Sequence, residues 1–381
     1  MRRQPQPFSD PIYVTRPLLP SLDHFTEKLG QVWDAQWLTN NGPQHRSLEK
    51  KLCEHLKVPH LSLFNNGTIA LIVACQSLRL SGEVITTPFT FPATSHVLSW
   101  NNIRPVFCDI DPVTMNIDLA RIESMITPST TGILAVHVFG VPCDVAGIQE
   151  LADRYGLRVI YDAAHAFGVE LEGRGIGTFG DISMFSFHAT KLFHTAEGGA
   201  LTFNDPNLKP RIDLLKNFGI KNEEEVMMPG INGKMNELQA ALGLVMLDYI
   251  DDEVSKRRAI RQRYVELLGD IPGISFLKDD RPEIKHSYQY FVTRVDPDVF
   301  GISRDSLYTE LKKYNINARK YFHPLCSDYA CYKYFPSASP ANLPTAQKVA
   351  SEVLALPFYG GLSISDVERI CEVINYIRDR N

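Results

Sequence analysis

The stretch HLSLFNNGTIALIVACQSL, residues 60–78, predicts a strand, a tight turn and a helix in succession. Its apolar run ends at Phe64, residues 65–67 form the turn, and Thr68 opens a helix whose first amides lack partners within the helix. Such a helix start is a candidate phosphate site, whereas a routine cap by Asn66 or Thr68 is the simpler interpretation. A strand that runs directly into a helix is the repeating unit of a parallel α/β sheet.

Short apolar runs alternate with amphipathic helical stretches from about residue 50 to residue 240. This alternation predicts an α/β fold in which a mainly parallel sheet has helices on both faces. Ligands of such sheets bind at the carboxyl ends of the strands. The further apolar runs are EVITTP (83–88), RPVFCDID (104–111), GILAVHVFG (132–140), LRVIYDAA (157–164), ISMFSFH (182–188) and GALTF (199–203).

The pattern changes near residue 250. Residues 247–271, LDYIDDEVSKRRAIRQRYVELLGDI, are rich in charge and carry apolar residues at helical spacing, so we expect a helix that bridges two domains. The strand and helix patterns beyond it are those of a smaller unit. We predict a large domain over residues 12–255 and a smaller C-terminal α+β domain over residues 256–381.

The composition argues against several classes of protein. With 44% apolar and 22% charged residues over 381 positions, the chain has the composition of an ordinary globular protein and no run suited to crossing a membrane. A net charge of −5 makes nucleic acid a poor candidate partner. Seven cysteines without C-x-x-C spacing argue against a disulfide framework and a zinc site, so we expect no metal. Because residues 1–7 are not followed by the apolar segment of a secretory signal, we expect a cytoplasmic location.

Three glycines in GIGTFG, residues 175–180, match the dinucleotide-binding pattern G-x-G-x-x-G. That pattern binds a pyrophosphate only where a strand ends and a helix begins. Here Gly175, Gly177 and Gly180 precede the predicted strand DISMFSF instead. We interpret them as a loop, and the hypothesis of a dinucleotide oxidoreductase depends on this pattern alone.

Several candidate ligand-binding residues follow predicted strands. Asp162 comes at the end of the run LRVIYD; it is either a cap for a following helix or the counter-ion of a protonated ring nitrogen. His165, three residues later, can meet the same ligand, although a structural histidine is the simpler interpretation. Phe89 and Phe91 in TTPFTFPAT either pack in the core or stack on a planar ligand.

Lys191 lies in SFHATKLFHTAEGG, residues 186–199, shortly after the predicted strand that ends near Ser186. It is a surface charge, a phosphate ligand, or a buried amine that attacks a carbonyl. A lysine nucleophile, an aspartate, an aromatic ring and a helix start are together the features that bind pyridoxal 5′-phosphate, which has an aldehyde, a pyridine ring and a phosphate. This combination favours the third interpretation and predicts that cofactor.

Ordered motifs along nearly the whole chain support the same cofactor. They are WLTNNGP (37–43), FNNGTIAL (64–71), TTPFTFPATSHVL (86–98), PVFCDIDPVTMNID (105–118), YDAAHAFG (161–168), GTFGDISMFSFHATK (177–191), GINGKMNELQAALGL (230–244), NARKYFHPL (317–325) and LALPFYGGLS (354–363). In these motifs the chain resembles the nucleotide-sugar aminotransferases of the DegT and StrS group, which depend on pyridoxal phosphate. The resemblance implies the fold of PLP fold type I, like that of aspartate aminotransferase, whose large domain has a mostly parallel seven-stranded sheet.

The resemblance implies a role for each matching residue. Lys191 binds the cofactor covalently and moves the proton between cofactor and sugar, and Asp162 pairs with the ring nitrogen. Phe91 stacks on the ring, and His165 stands beside the ring hydroxyl where many relatives have glutamine. The residues implied to hold the phosphate are Gly67, Thr68 and Ser186.

The resemblance also implies a homodimer in which each active site is completed by its neighbour. Asn232 or Lys234 of GINGKMNE is expected to reach the phosphate or the substrate of the other subunit. Arg319 and His323 of NARKYFHP are expected at the nucleotide sugar, where a guanidinium suits a diphosphate. The roles of His188 and His194 stay open.

The implied reaction transfers the amino group of L-glutamate to C4 of a nucleotide-linked 4-keto-6-deoxyhexose, with dTDP as the expected nucleotide. Position 4 is favoured because relatives that act on 4-keto sugars resemble SFHATKLFHTAEGG, and the product is expected to enter a surface polysaccharide or glycan. The alternatives are an aminotransferase of 3-keto sugars or of an inositol ring, and a regulatory relative without turnover.

Overall fold

A seven-stranded sheet is the centre of the larger part of the molecule in the computed structural model, which describes residues 4–277 and 281–380. In chain order the strands are β1 (Ile12–Tyr13), β2 (His60–Phe64), β3 (Glu83–Thr86), β4 (Arg104–Phe107), β5 (Thr130–Val136), β6 (Arg158–Asp162), β7 (Glu170–Leu171), β8 (Arg174–Gly175), β9 (Ile182–Ser186), β10 (Gly199–Phe203), β11 (Ile274–Phe276), β12 (Ile284–Lys285), β13 (Phe291–Val295), β14 (Ile316–Asn317) and β15 (Val353–Leu356).

Helices cover the sheet and build the C-terminal part of the chain. They are α1 (Leu22–Ala35), α2 (Pro43–Leu56), α3 (Gly67–Ser77), α4 (Pro92–Trp100), α5 (Leu119–Ile122), α6 (Val145–Tyr155), α7 (Leu208–Leu215), α8 (Glu237–Met246), α9 (Ile250–Leu268), α10 (Pro297–Phe300), α11 (Arg304–Lys312), α12 (Pro344–Glu352) and α13 (Ile364–Arg378).

The large sheet has the strand order β2-β10-β9-β6-β5-β3-β4. β10 runs antiparallel to its neighbours β2 and β9, and the other neighbouring pairs are parallel. Successive residues of β5 belong to clusters on opposite faces: Leu134 to the one that contains Leu71 of α3, and Ile133 to the one that contains Ile148 of α6. The predicted α/β fold, with a mostly parallel seven-stranded sheet between layers of helices, is confirmed.

The C-terminal part contains a three-stranded antiparallel sheet in the order β11-β13-β15. Helix α9 begins beside the large sheet, where Ile250 belongs to a cluster with Leu244 of α8. Further along the same helix, Tyr264 stacks on Phe291 of β13, with ring centroids 4.6 Å apart. The expected bridging helix is therefore present.

The two parts of the chain are also joined by strand β1 near the N-terminus and by Asp109. Strand β1 pairs in parallel with β14, so that Ile12 lies beside Ile316. Asp109, just after β4, accepts hydrogen bonds from the amides of Thr345 and Ala346 at the start of α12, at 3.0 and 2.8 Å. The division of the chain at residues 255 and 256 stays a prediction.

The glycine pattern GIGTFG lies in the loop that was predicted. Gly175 ends the two-residue strand β8, a short turn follows, and Gly180 comes two residues before β9. The glycines therefore lie between strands β8 and β9, where a single 3-10 turn (Ile176–Thr178) connects them, and not between a strand and an α-helix. Within residues 4–277 and 281–380, no helix is long and apolar enough to span a membrane, and no cluster of three potential ligand side chains is arranged to hold a metal ion.

Candidate active site

A cavity of about 730 Å³ opens at the edge of the large sheet where β6 and β9 end. The parallel register places Asp162, the last residue of β6, beside Met184 of β9, so Ser186 at the end of β9 reaches the same edge. The cavity brings together most of the predicted site residues. Those that line it are Gly67, Thr68, Phe91, Asp162, His165, Ser186, Lys191 and Arg319.

Lys191 is partly buried in this cavity, 6.0 Å from the centre of the Tyr290 ring. The loss of hydration lowers the pKa of its amine to about 8, and the nearby Asp162 carboxylate partly opposes that shift. At pH 7 about a tenth of such an amine is neutral, far more than for an ordinary lysine. The amine is thus prepared to act as a nucleophile near neutral pH.

Asp162 is a buried carboxylate at the end of β6. One oxygen accepts a hydrogen bond from Thr94 Oγ1 at 2.8 Å, and the other accepts one from the Ala164 amide at 3.1 Å. Burial raises its pKa, although both hydrogen bonds and the Lys191 amine oppose the shift. The predicted alternative of a helix cap is wrong, because residues 163–168 form turns.

His165 presents an unpaired nitrogen in the same region. Its ring lies nearly parallel to that of Phe322, at 11° and 5.8 Å between centroids, and edge-on to Tyr290. Burial holds the pKa of the imidazole well below its usual range, so the ring is neutral. In the part of the chain that the structure describes, its buried Nδ1 has no hydrogen-bond partner. A buried polar atom of this kind is expected to pair with a ligand.

The start of helix α3 forms another side of the cavity. Asn66 is the cap, since its side chain accepts a hydrogen bond from the Ile69 amide at 2.8 Å, and Gly67 is the first helical residue. A Cβ atom on Gly67 would lie 3.2 Å from the Cβ atom of Ser186, so glycine allows the helix start to approach the end of β9. Gly67, Thr68 and Ser186 all line the cavity beside this helix start, and their binding of a phosphate stays a prediction.

The two phenylalanines of TTPFTFPAT have different environments. Phe89 is fully buried and packs edge-on against Phe139 and Phe322, which is the predicted core alternative. Phe91 immediately precedes α4, is 59% exposed and lines the cavity. Of the two rings, Phe91 is the one available to a planar ligand.

Three of the predicted residues are not among the described residues that line the cavity. Lys234 Nζ donates hydrogen bonds to Asn217 and Asn232, at 2.8 and 3.0 Å. His323 is exposed. The roles of Asn232, Lys234 and His323 stay predictions.

The structure adds residues to the site for which no role was predicted. Tyr290 and Tyr321 come from remote segments and line the cavity, and Thr94 bonds to Asp162; no spacing relates any of them to Lys191. His188 also lines the cavity, with Nε2 3.7 Å from a carboxylate oxygen of Glu197. The remaining residues that line the cavity without a predicted role are Ile69, Thr90, Ala93, Ala164, Met184, Thr190, Glu197 and Phe322.

His194 has a structural position instead. Its Nε2 lies 2.6 Å from the carbonyl oxygen of Leu18, and its Nδ1 accepts a hydrogen bond from the Ala196 amide at 3.2 Å. Both ring nitrogens are thus occupied by the backbone.

Comparison with known proteins identifies the class of enzyme. The model of the DegT/DnrJ/EryC1/StrS aminotransferase family matches residues 22–375, so the chain belongs to this family. The family and the enzyme class that the motifs predicted are confirmed.

Individual relatives are similar over almost their whole length. The chain is 50% identical over 364 residues to a dTDP-4-amino-4,6-dideoxy-D-glucose transaminase of Escherichia coli, covering 95% of this chain and 98% of the relative. It is 47% identical to the transaminase of the same name from Shigella dysenteriae, covering 97% and 99%. The structure of DesI solved in the presence of its TDP-sugar product matches with a TM-score of 0.93 at 35% identity, covering 99% and 95%.

The lowered pKa of Lys191 can be measured on the cofactor-free protein. We expect acetylation of Lys191 by acetic anhydride to rise with pH around a midpoint near 8, because burial favours the neutral amine. In the variant Asp162→Asn the midpoint falls further, because the carboxylate that favours the protonated amine is gone. Competitive labelling followed by peptide mass spectrometry checks both values. A midpoint near that of an exposed lysine, about 10.4, would contradict this account of the site.

Proposed function

We propose that the chain is a pyridoxal phosphate-dependent aminotransferase that carries the amino group of L-glutamate to C4 of a dTDP-linked 4-keto-6-deoxyhexose. The observation that carries the proposal is the placement of a lysine with a lowered pKa and a buried aspartate in one cavity. The names of the two bacterial relatives support the sugar and the position of the amine. The proposed product is a building block for surface glycans, and the cytoplasmic location stays a prediction.

The residues of the cavity fit pyridoxal phosphate. The buried carboxylate of Asp162 suits a protonated ring nitrogen, and the unpaired Nδ1 of His165 suits a polar ring substituent. The close approach of Gly67 to Ser186 makes a cradle beside the start of α3, where a phosphate is favoured. When bound, the cofactor supplies an aldehyde that takes up an amino group and a ring that withdraws electrons from the carbon beside the nitrogen.

In this mechanism Lys191 has two functions. It would hold the cofactor covalently through its neutral amine, and its Nζ, once free, would carry a proton between the cofactor carbon and the sugar carbon. Asp162 would keep the ring nitrogen protonated, since an ionised carboxylate favours the nearby cation. Thr94 holds one oxygen of this carboxylate in position through its 2.8 Å hydrogen bond.

Arg319 is proposed to bind the diphosphate of the sugar nucleotide. It lines the cavity on the side that the C-terminal part of the chain provides, and its backbone is held by hydrogen bonds with Ala355. A guanidinium fits two phosphate oxygens at once. His323, four residues later and exposed, is proposed at the outer end of the same ligand.

We also propose a homodimer with shared active sites. Asn232 and Lys234 lie outside the cavity of their own subunit, as expected if they serve the neighbour. Beside them an apolar groove of about 770 Å³ lies between α3, α4 and residues 229–231, and Trp100 at its edge is 78% exposed. An exposed apolar groove of this size on a folded chain favours burial against another protein surface.

The reaction can be tested with a panel of keto sugars. The protein loaded with pyridoxal phosphate, given L-glutamate and dTDP-4-keto-6-deoxyglucose, is expected to form 2-oxoglutarate and a sugar with its amine on C4, located by NMR. The variant Lys191→Ala is expected to lose at least a thousandfold in kcat, because it lacks the nucleophile and proton carrier.

The same panel separates the alternatives. If the protein turns over only 3-keto sugars, or only an inositol ketone, the proposed 4-keto substrate is wrong and that class is the substrate. Failure of glutamate to change the spectrum of the bound cofactor would indicate a protein without turnover.

Sharing of active sites is tested by mixing inactive variants. We expect a mixture of the Lys191→Ala protein with the Lys234→Ala protein, or with the Asn232→Ala protein, to recover activity. A dimer that contains one chain of each variant has one intact site. Random pairing gives about a quarter of the wild-type activity. Activity is assayed after joint refolding or coexpression, and each variant refolded alone is the control. If neither mixture recovers activity, Asn232 and Lys234 do not complete the site of the neighbouring subunit.

A further inference from the structure

The side chain of Gln289 spans the backbone on both sides of Lys191. Its Oε1 accepts a hydrogen bond from the Leu192 amide at 2.8 Å, and its Nε2 donates one to the Thr190 carbonyl at 3.1 Å. Gln289 is only 2% exposed. A single carboxamide thus fixes the peptide groups that precede and follow the lysine.

Gln289 is itself firmly held. It lies two residues before β13, and Arg257 of α9 donates hydrogen bonds to the backbone carbonyls of Tyr288 and Gln289, both at 3.3 Å. Arg257 is buried and pairs with Glu253, with Nε and Oε1 2.7 Å apart. Glu253 also accepts a hydrogen bond from the Gly360 amide at 2.9 Å. A buried polar network therefore runs from the bridging helix to the lysine loop.

The next residue extends the same segment into the cavity. The ring of Tyr290 lies 6.0 Å from Lys191 Nζ and edge-on to His165, with centroids 5.3 Å apart. Gln289 thus holds the backbone on both sides of Lys191, and Tyr290 forms part of the cavity around its amine. A buried glutamine that served only to pair backbone groups could bond to any two of them. Gln289 bonds to the peptide groups directly before and after Lys191.

We propose that Gln289 is a positioning residue, whose carboxamide sets the direction of Lys191 toward the reacting carbon. This inference rests on the proposed function. Fixing both flanking peptide groups restricts the backbone rotation of Lys191, and with it the place from which Nζ collects and returns a proton. Proton transfer needs donor and acceptor atoms within hydrogen-bonding reach, so a displacement of about 1 Å costs a large part of the rate.

The test compares Gln289→Met with the matched control Gln44→Met. Methionine has a similar shape but cannot make either hydrogen bond. Gln44 is also buried, lies in α2 and does not line the cavity. We expect Gln289→Met to lower kcat by about tenfold to a hundredfold with little change in KM. In the cofactor-free protein we expect it to speed hydrogen exchange of the Leu192 amide and to move the pH midpoint of Lys191 acetylation. We expect Gln44→Met to leave kcat, the exchange rate of the Leu192 amide and the acetylation midpoint of Lys191 near their wild-type values.

Gln289→Glu is the second variant, because its carboxyl group restores the contacts only when it is protonated. The protonated group donates to the Thr190 carbonyl and accepts from the Leu192 amide, whereas the ionised group has no donor for Thr190. We expect the ratio of its kcat to that of the wild type to fall as pH rises.

Two results would overturn the proposal. In the first, Gln289→Met folds and keeps the wild-type kcat, exchange rate and acetylation midpoint. In the second, both Gln289 variants fail to fold while Gln44→Met folds, which assigns the residue a purely structural role. Failure of the proposed function gives a different result, because the wild-type protein itself then shows no amino transfer.

Discussion

The parallel register between β6 and β9 is the constraint on which the site depends. It sets Asp162 beside Met184 and brings Ser186 to the same edge of the sheet. A shift of one residue would turn the Asp162 side chain to the opposite face, away from Thr94 and Lys191. The apolar residues of both strands are buried on both faces, which specifies this register strongly.

The chemistry of the lysine follows from what is packed around that edge. Burial lowers the pKa of the Lys191 amine and raises that of the Asp162 carboxyl, so each group moves toward its neutral form. A protonated ring between them would reverse the change at Asp162, because its positive charge stabilises the carboxylate. Part of the burial is provided by Tyr290 and Tyr321, which belong to the C-terminal part of the chain. The contact between the two parts is thus a requirement of the site.

Much of this arrangement was predictable because it is local in the sequence. The strand, turn and helix around Gly67, and the strand that ends at Asp162, follow from short apolar runs and turn residues. The family motifs then predict the role of Lys191 and the seven-stranded sheet, and the structure confirms the sheet. The cap was ambiguous between Asn66 and Thr68, and the structure selects Asn66.

The remaining site residues could not be predicted, because long-range packing places them. Gln289 is 98 residues from Lys191 in the chain, and its side chain bonds to the backbone of the residues on either side of the lysine. Thr94 lies 68 residues from Asp162, and an isolated threonine in a helix has no pattern that indicates a site.

The central claim is that Lys191 is the residue to which pyridoxal phosphate becomes attached. Borohydride reduction of the loaded protein, followed by digestion and peptide mass spectrometry, locates the attachment directly. We expect one phosphopyridoxyl group per chain, on Lys191 and not on Lys234. Labelling of another lysine in its place, or no labelling of a protein that retains the cofactor, would contradict it.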